Sequence, residues 1–177
     1  MALLKPFAYT QITQGWGPTK RLDEPAGWAM LGRFWYNKPV AAVGGPFVYV
    51  AHFHPALDLN GVPIGTAIVA SEAGIVTAAG LNPKSPASGI RIQVRIRPGS
   101  FYGHGHLLRL APGIKLGSKV ARGQHIADVG SSGSATGPHS HFYVQLVVPG
   151  TNQDMLYNPN LFFPYGANAN DPRIKPL

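Results

Sequence analysis

A chain of 177 residues without cysteine fits one domain and excludes disulfides, thiolate metal sites and a cysteine nucleophile. Only 12% of its residues are charged, while 22 Gly and 17 Pro favour frequent turns and short strands over long helices. The net charge of +8 predicts attraction to polyanions, but the basic residues are dispersed and give no indication of a nucleic-acid-binding arm.

The pattern of apolar residues and turns predicts a mostly β chain with an antiparallel core. We expect a single domain over residues 1–177, with a lead-in at 1–46, a core at 47–148 and an irregular tail at 149–177. Within the lead-in, the aromatic segment from Arg21 to Val43 fits either a short helix or an extended loop. Strands are predicted, in chain order, at 47–51, 64–70, 74–79, 90–97, 101–110, within 120–129, and at 141–148.

Six of the seven histidines form three His-x-His pairs, which carry the strongest chemical signal in the sequence. The pairs are His52 with His54, His104 with His106, and His139 with His141. Residues two apart on a strand point to the same side, so pairs on neighbouring strands are able to converge on one site. Neutral imidazole is a common zinc ligand, and Asp58, inside an apolar run four residues after His54, offers a carboxylate. Together these residues indicate a metal site.

Other interpretations of the same residues stay open at this point. A single His-x-His pair is weak evidence for a metal, and Asp58 also fits the cap of a turn. His125 stands outside the pairs and fits a surface or core position. The arginines of the alternating segment, Arg91, Arg95 and Arg97, fit a solvated strand face better than a binding patch.

A set of segments running in order from about residue 47 to 148 resembles the lysostaphin/LytM-type zinc metallopeptidases. Ala56 and Ser140 stand where that family favours Gly and Leu, and neither position belongs to its ligand set. The segments that carry the resemblance are His54 to Leu59, Gly65 to Ala70, Gly74 to Val76, His106-Leu107, Gly117 to Gln124, Val129 to Gly133, and Thr136 to Phe142.

The resemblance implies one Zn²⁺ per chain, bound by His54, Asp58 and His141, under loops that form a groove. It implies catalytic roles for His106 and His139, with His104 as the alternative to His106. The implied activity is hydrolysis of peptide bonds in bacterial peptidoglycan. The alternative is an inactive wall-binding or regulatory domain of the same fold. A cupin-like oxygenase would require a Glu near a His-x-His pair, where this chain has Gln145, and a nucleic-acid binder would not explain the three pairs.

The expected partners are peptidoglycan and anionic wall polymers, with no nucleic acid and no membrane insertion. Pro6 and polar residues interrupt the first segment before a signal-peptide apolar stretch forms, and no window approaches the roughly 18 apolar residues of a membrane helix. We therefore expect action in the bacterial cell wall as a phage lysin or virion-associated component.

Overall fold

The computed structural model describes residues 2–30, 32–36, 47–83, 85–148, 151 and 153–163. These residues form short strands and two single-turn 3-10 helices, at Pro86–Ser88 and Pro159–Leu161. The strands of the described residues are β1 (Gln11–Gln14), β2 (Gly17–Pro18), β3 (Gly27–Met30), β4 (Arg33–Trp35), β5 (Val48–Val50), β6 (Phe53–His54), β7 (Leu57–Asn60), β8 (Ala67–Val69), β9 (Gly74–Leu81), β10 (Ile90–Arg97), β11 (Ser100–Leu107), β12 (Arg109–Leu110), β13 (Lys119–Val120), β14 (His125–Asp128), β15 (Ser140–Val147) and β16 (Asp154–Tyr157).

One large sheet dominates the fold of the described residues. Its strand order is β13-β9-β10-β11-β15-β16-β4-β3-β5, and β7 adds to β15 while β1 adds to β7. Its paired strands run antiparallel. A three-stranded sheet of β12, β14 and β8 and the pair of β2 with β6 complete the strands. The predicted mostly β, antiparallel fold is therefore confirmed.

The large sheet has a buried core face and an outer face that carries polar side chains. On β10, Ile92 and Val94 are fully buried, whereas Arg95 is exposed. On β15, Phe142 and Val144 are buried in the same core. Since side chains alternate along a strand, the residues next to them, His141 and Tyr143, face the other side. The alternating pattern of residues 90–97 predicted this strand with its observed bounds.

The described residues of the aromatic segment include two strands, β3 and β4, where a short helix or an extended loop was considered from the sequence. β3 and β4 pair with each other, β4 joins the rest of the large sheet through β16, and β5 pairs with β3 at the edge. Phe34 and Trp35 are consecutive and both buried, each in a separate small cluster. Such burial on two sides favours a strand, because neighbouring side chains of a strand point in opposite directions. Residues 37–46 lie outside the described residues.

The segment after residue 148 is more regular than expected. β16 pairs with both β15 and β4, so residues 154–157 form a strand inside the sheet where an irregular tail was predicted. Residues 164–177 lie outside the described part of the chain. Among the described residues, no helix is long and apolar enough to span a membrane.

Candidate metal centre

Cross-strand pairing brings His54, Asp58 and His141 together. β7 lies between β1 and β15, and Asp58 is directly opposite His141 on β15. His54 is on β6, four residues before Asp58, where Gly17 of β2 pairs with it. Three chain segments therefore present one side chain each to a single point beside the outer face of the sheet.

The three side chains meet through their potential ligand atoms. Asp58 Oδ1 lies 3.1 Å from His141 Nδ1 and 3.3 Å from His54 Nε2, and the two ring nitrogens are 3.2 Å apart. On a tetrahedron with bonds of about 2.1 Å, neighbouring ligand atoms are about 3.4 Å apart. Two imidazole nitrogens and one carboxylate oxygen form a donor set that zinc accepts, so the residues present fit the ion.

The hydrogen bonds of His54 define which of its nitrogens is free. Its Nδ1 lies 3.1 Å from the carbonyl oxygen of Gly15. A carbonyl only accepts hydrogen bonds, so Nδ1 carries the proton and Nε2 presents its lone pair to the cluster. A fixed tautomer of this kind is typical of a metal-binding histidine.

The electrostatics of the cluster match a site that requires a cation. Burial alone would lower the pKa of His54, but the hydrogen bond and charge of Asp58 outweigh it and raise that pKa. Burial alone would raise the pKa of Asp58, but hydrogen bonds from His141 and His54 lower it well below its usual range. Asp58 is therefore ionised at neutral pH.

Two further histidines, His106 and His139, adjoin the cluster. Their ring centres are 4.7 Å apart, and the ring of His106 is 5.8 Å from that of His141. His139 Nε2 lies 3.7 Å from Asp58 Oδ1. The Nδ1 of His106 donates to the Ser132 carbonyl at 2.8 Å, and that of His139 donates to a carbonyl at 2.9 Å. Both rings therefore keep a basic Nε2.

A β-bulge turns His106 towards this cluster. On β10, Ile90 pairs with Leu107 and Ile92 pairs with His104, so three residues of β11 span a two-residue step of β10. Simple alternation from His104 would send His106 into the core. At the bulge His106 adopts a φ of 59°, while Leu107 takes the buried position. Bulges commonly re-aim a side chain next to an active site.

His104 lies on the opposite, core side of the sheet. It is fully buried, and its ring packs 4.9 Å from that of Phe142. Its Nδ1 is hydrogen-bonded to Ser140 Oγ at 2.9 Å. Burial lowers the pKa of His104 to about 3, so it is neutral under ordinary conditions. The geometry therefore favours His106 over His104 as the histidine that reaches the site.

The remaining two histidines point elsewhere. His52 Nδ1 lies 3.3 Å from the backbone oxygen of Glu24. His125 is on the separate three-stranded sheet, where its Nε2 is 2.7 Å from Asp128 Oδ1. Each His-x-His pair therefore contributes to the site, but only the last pair contributes both members.

A groove of about 520 Å³ runs over the cluster. The lead-in supplies one wall, including Gln14 and Glu24, and the segments 85–88 and 134–137 supply part of the other. Sequence reasoning missed Gln14 and Glu24, because the order of residues gives no signal that the lead-in returns to the metal cluster. The pairing of β1 with β7 places Gln14 there, and backbone hydrogen bonds of the segment around Glu24 with His52 and Phe53 place Glu24 there.

Comparison with known proteins identifies the family. The model of peptidase family M23 matches residues 52–155, more than half of the chain and the part that contains the histidines and Asp58 described above. This chain belongs to peptidase family M23. None of the curated protein sequences is significantly similar to it.

Solved structures share the fold. The catalytic domain of the antimicrobial peptidase lysostaphin from Staphylococcus simulans superposes with a TM-score of 0.62 at 22% identity, covering 87% of this chain and 91% of that chain. A zinc containing peptidase from Vibrio cholerae superposes with a TM-score of 0.57 at 27% identity, covering 81% of this chain. The match spans only 36% of the Vibrio cholerae protein.

Proposed function

We propose that this chain is a zinc-dependent endopeptidase that hydrolyses peptide bonds in bacterial peptidoglycan. One zinc ion per chain is held by His54, Asp58 and His141. The observation that carries the proposal is the convergence of these three ligand atoms, with two more histidines beside them, in one groove. Membership of peptidase family M23 supports a peptidase activity.

The chemistry is the addition of water to a peptide bond. The C–N bond breaks, the hydroxyl of water joins the acyl carbon, and the departing amine gains a proton. Zinc bound by the three residues would supply Lewis acidity, which lowers the pKa of water and polarises a carbonyl group.

His106 and His139 are the proposed proton carriers. Each has its Nδ1 proton fixed on a backbone carbonyl, so its Nε2 is able to accept a proton from the attacking water. The proton taken up in this way is then passed to the leaving amine, directly or through the second histidine, and a ring that carries it at Nε2 also stabilises the oxyanion. Burial and the neighbouring histidines lower the pKa of His106, and they outweigh the opposing effect of its hydrogen bond to the Ser132 carbonyl. The lowered pKa keeps His106 neutral, and so able to accept a proton, at neutral pH.

The partners follow from charge and family. The net charge of +8 favours association with the anionic polymers of a cell wall. Action within the bacterial wall as a phage lysin or virion-associated component stays a prediction that the fold does not address.

The test compares four proteins on purified bacterial walls: the wild type, His54→Ala, His106→Ala and the control His125→Ala. His125 is exposed and belongs to another sheet, so its replacement should leave wall cleavage unchanged. His54→Ala should lose both zinc and cleavage. His106→Ala should lose cleavage but keep close to one zinc per chain, because His106 is outside the proposed ligand set. Mass spectrometry of the released fragments identifies the bond that is cut.

The same assay separates the enzyme from an inactive wall-binding domain of this fold. Cleavage and wall sedimentation are measured in parallel from pH 5 to 8. An enzyme keeps binding walls when a chelator stops cleavage. Wall binding without cleavage at any pH, with zinc supplied and on walls of every cross-bridge type, would establish the binding domain and refute the proposed activity.

A further inference from the structure

Glu24 occupies a defined position on the lead-in wall of the groove. The segment that carries it is held against the strand next to the metal cluster by two backbone hydrogen bonds. Thr19 N donates to His52 O at 3.1 Å, and Phe53 N donates to Pro25 O at 3.0 Å. His54 directly follows Phe53, so the wall is fixed beside the residues of the site rather than lying freely over it.

Glu24 differs from the other charged side chains in the groove because it lacks a contact ion pair among the described residues. Arg21 binds both oxygens of Asp23, at 3.1 Å and 2.7 Å, so these two charges neutralise each other. Asp58 faces the histidine cluster. Glu24 Oε1 accepts a hydrogen bond from Gln14 Nε2 at 2.8 Å, but no basic side chain of the described residues forms an ion pair with Glu24. A half-buried carboxylate therefore lies in the groove without a contact ion pair from the described residues, although Arg21 attracts it over a longer distance.

Gln14 connects Glu24 to the metal cluster and gives the approximate distance between them. It is the cross-strand partner of Asp58. The Cβ atoms of paired residues in an antiparallel sheet are about 5 Å apart. The Glu24 carboxylate is separated from this pair by the Gln14 side chain and one hydrogen bond of 2.8 Å, so it lies within about 12 Å of the Asp58 Cβ atom. An extended peptide advances about 3.3 Å per residue, so this carboxylate would face a substrate residue within a few positions of the bond that is cut.

We infer that Glu24 is a specificity-determining residue that binds a primary ammonium group of the substrate, close to the cleaved bond. The inference rests on the proposed peptidase function and adds the class of substrate that the groove selects. Gln14 already donates to Oε1, which leaves Oε2 as the carboxylate oxygen without a hydrogen bond from the described residues. A single oxygen suits a compact ammonium group better than the forked guanidinium of arginine, which prefers two.

Two parts of a peptidoglycan substrate supply such a group: the side-chain amine of a diamino acid and the free amino terminus of a peptide bridge. Two pairs of probes distinguish them. The first pair is a synthetic stem tetrapeptide containing lysine, with its ε-amine free or acetylated. The second pair is triglycine with its amino terminus free or acetylated. Acetylation removes the charge and leaves the rest of each peptide unchanged.

The experiment measures binding of these probes by calorimetry in zinc-loaded His106→Ala protein, in which turnover is expected to be absent. In one of the pairs, the free amine should bind about five- to tenfold more tightly than its acetylated form, as for a partly exposed charged hydrogen bond. The added substitution Glu24→Gln keeps an oxygen for Gln14 but removes the charge, so the difference should fall below twofold. Asp154→Asn is the control, because it removes one negative charge from an exposed residue outside the groove, and the difference should persist.

The inference would be overturned by the absence of a preference for the free amine in both pairs, or by a preference that survives Glu24→Gln. An equal loss of affinity for free and acetylated peptides in Glu24→Gln would also overturn it, since a purely structural role of Glu24 gives that result. If the preference disappears in Glu24→Gln while wild-type protein cuts no wall peptide, the ammonium site is supported and the proposed peptidase activity is refuted.

Discussion

The backbone at His106 gives a quantitative test of how the site is built. Among the described residues other than glycine, only His106 has a positive φ, of 59°. This conformation is strained for a residue with a Cβ atom, at a cost of about 1–2 kcal/mol, and is free of that strain for glycine. We therefore compare His106→Gly with His106→Ala. Both variants lose the hydrogen bond to Ser132 and the contact with His139, so their difference isolates the backbone.

Glycine also loses more conformational entropy on folding than alanine, by about 0.5–1 kcal/mol. The net expectation is that His106→Gly is more stable than His106→Ala by about 0.5–1 kcal/mol. For a chain of this size, that corresponds to a Tm difference of about 1–4 °C. The assay is urea and thermal unfolding of the zinc-loaded variants. Both should lack peptidase activity.

The exposed residue Arg95 on β10 provides the matched control, because its φ is not in the positive range. There the order should reverse, with Arg95→Ala more stable than Arg95→Gly. If His106→Ala proves as stable as His106→Gly, or more stable, then the bulge does not hold His106 in a strained conformation. The explanation given for how it reaches the groove would then be wrong.

Three further predictions concern protons and buried polar groups. Because burial lowers the pKa of His106, the acid limb of wall cleavage should lie below about pH 6, and a decline already between pH 8 and 7 would contradict this. In chelated protein, the raised pKa of His54 stabilises the fold below about pH 6.5, and this contribution is lost as the pH rises. The lowered pKa of Asp58 stabilises the fold above about pH 4. The free energy of unfolding should therefore fall towards pH 8, and added zinc should restore it. Ser140→Ala should lower the free energy of unfolding by about 1–3 kcal/mol, because buried His104 loses its hydrogen-bond partner Ser140 Oγ. In a double-mutant cycle, Ser140→Ala combined with His104→Phe should lower it by less than the sum of the two single changes.

The sequence predicted those parts of the fold that depend on local pattern. The alternation of residues 90–97 predicted β10, because a period of two is typical of a half-buried strand. The run of residues 141–148, which ends at Pro149-Gly150, predicted β15. The strands of the aromatic lead-in were not predicted. β3 pairs with β5 and β4 pairs with β16. These partners are distant in sequence, so the local pattern of residues around β3 and β4 does not predict the pairing.

The candidate site shows the same limit. Its histidines and Asp58 were recognisable because their types and spacing suit a metal. The preference for His106 over His104 rested on the family resemblance, because strand periodicity puts both on the same face of an ideal strand. The bulge that separates them arises from the register of β11 against β10, which is a tertiary property. Glu24 was missed for a related reason, since only the folded lead-in brings it to the groove.

Diffraction from zinc-loaded crystals at the zinc absorption edge tests the central claim most directly. We predict one strong anomalous peak per chain, about 2.0–2.2 Å from His54 Nε2, a carboxylate oxygen of Asp58 and His141 Nδ1. A peak at His125 and Asp128, or no peak among the three proposed ligands at saturating zinc, would contradict the claim.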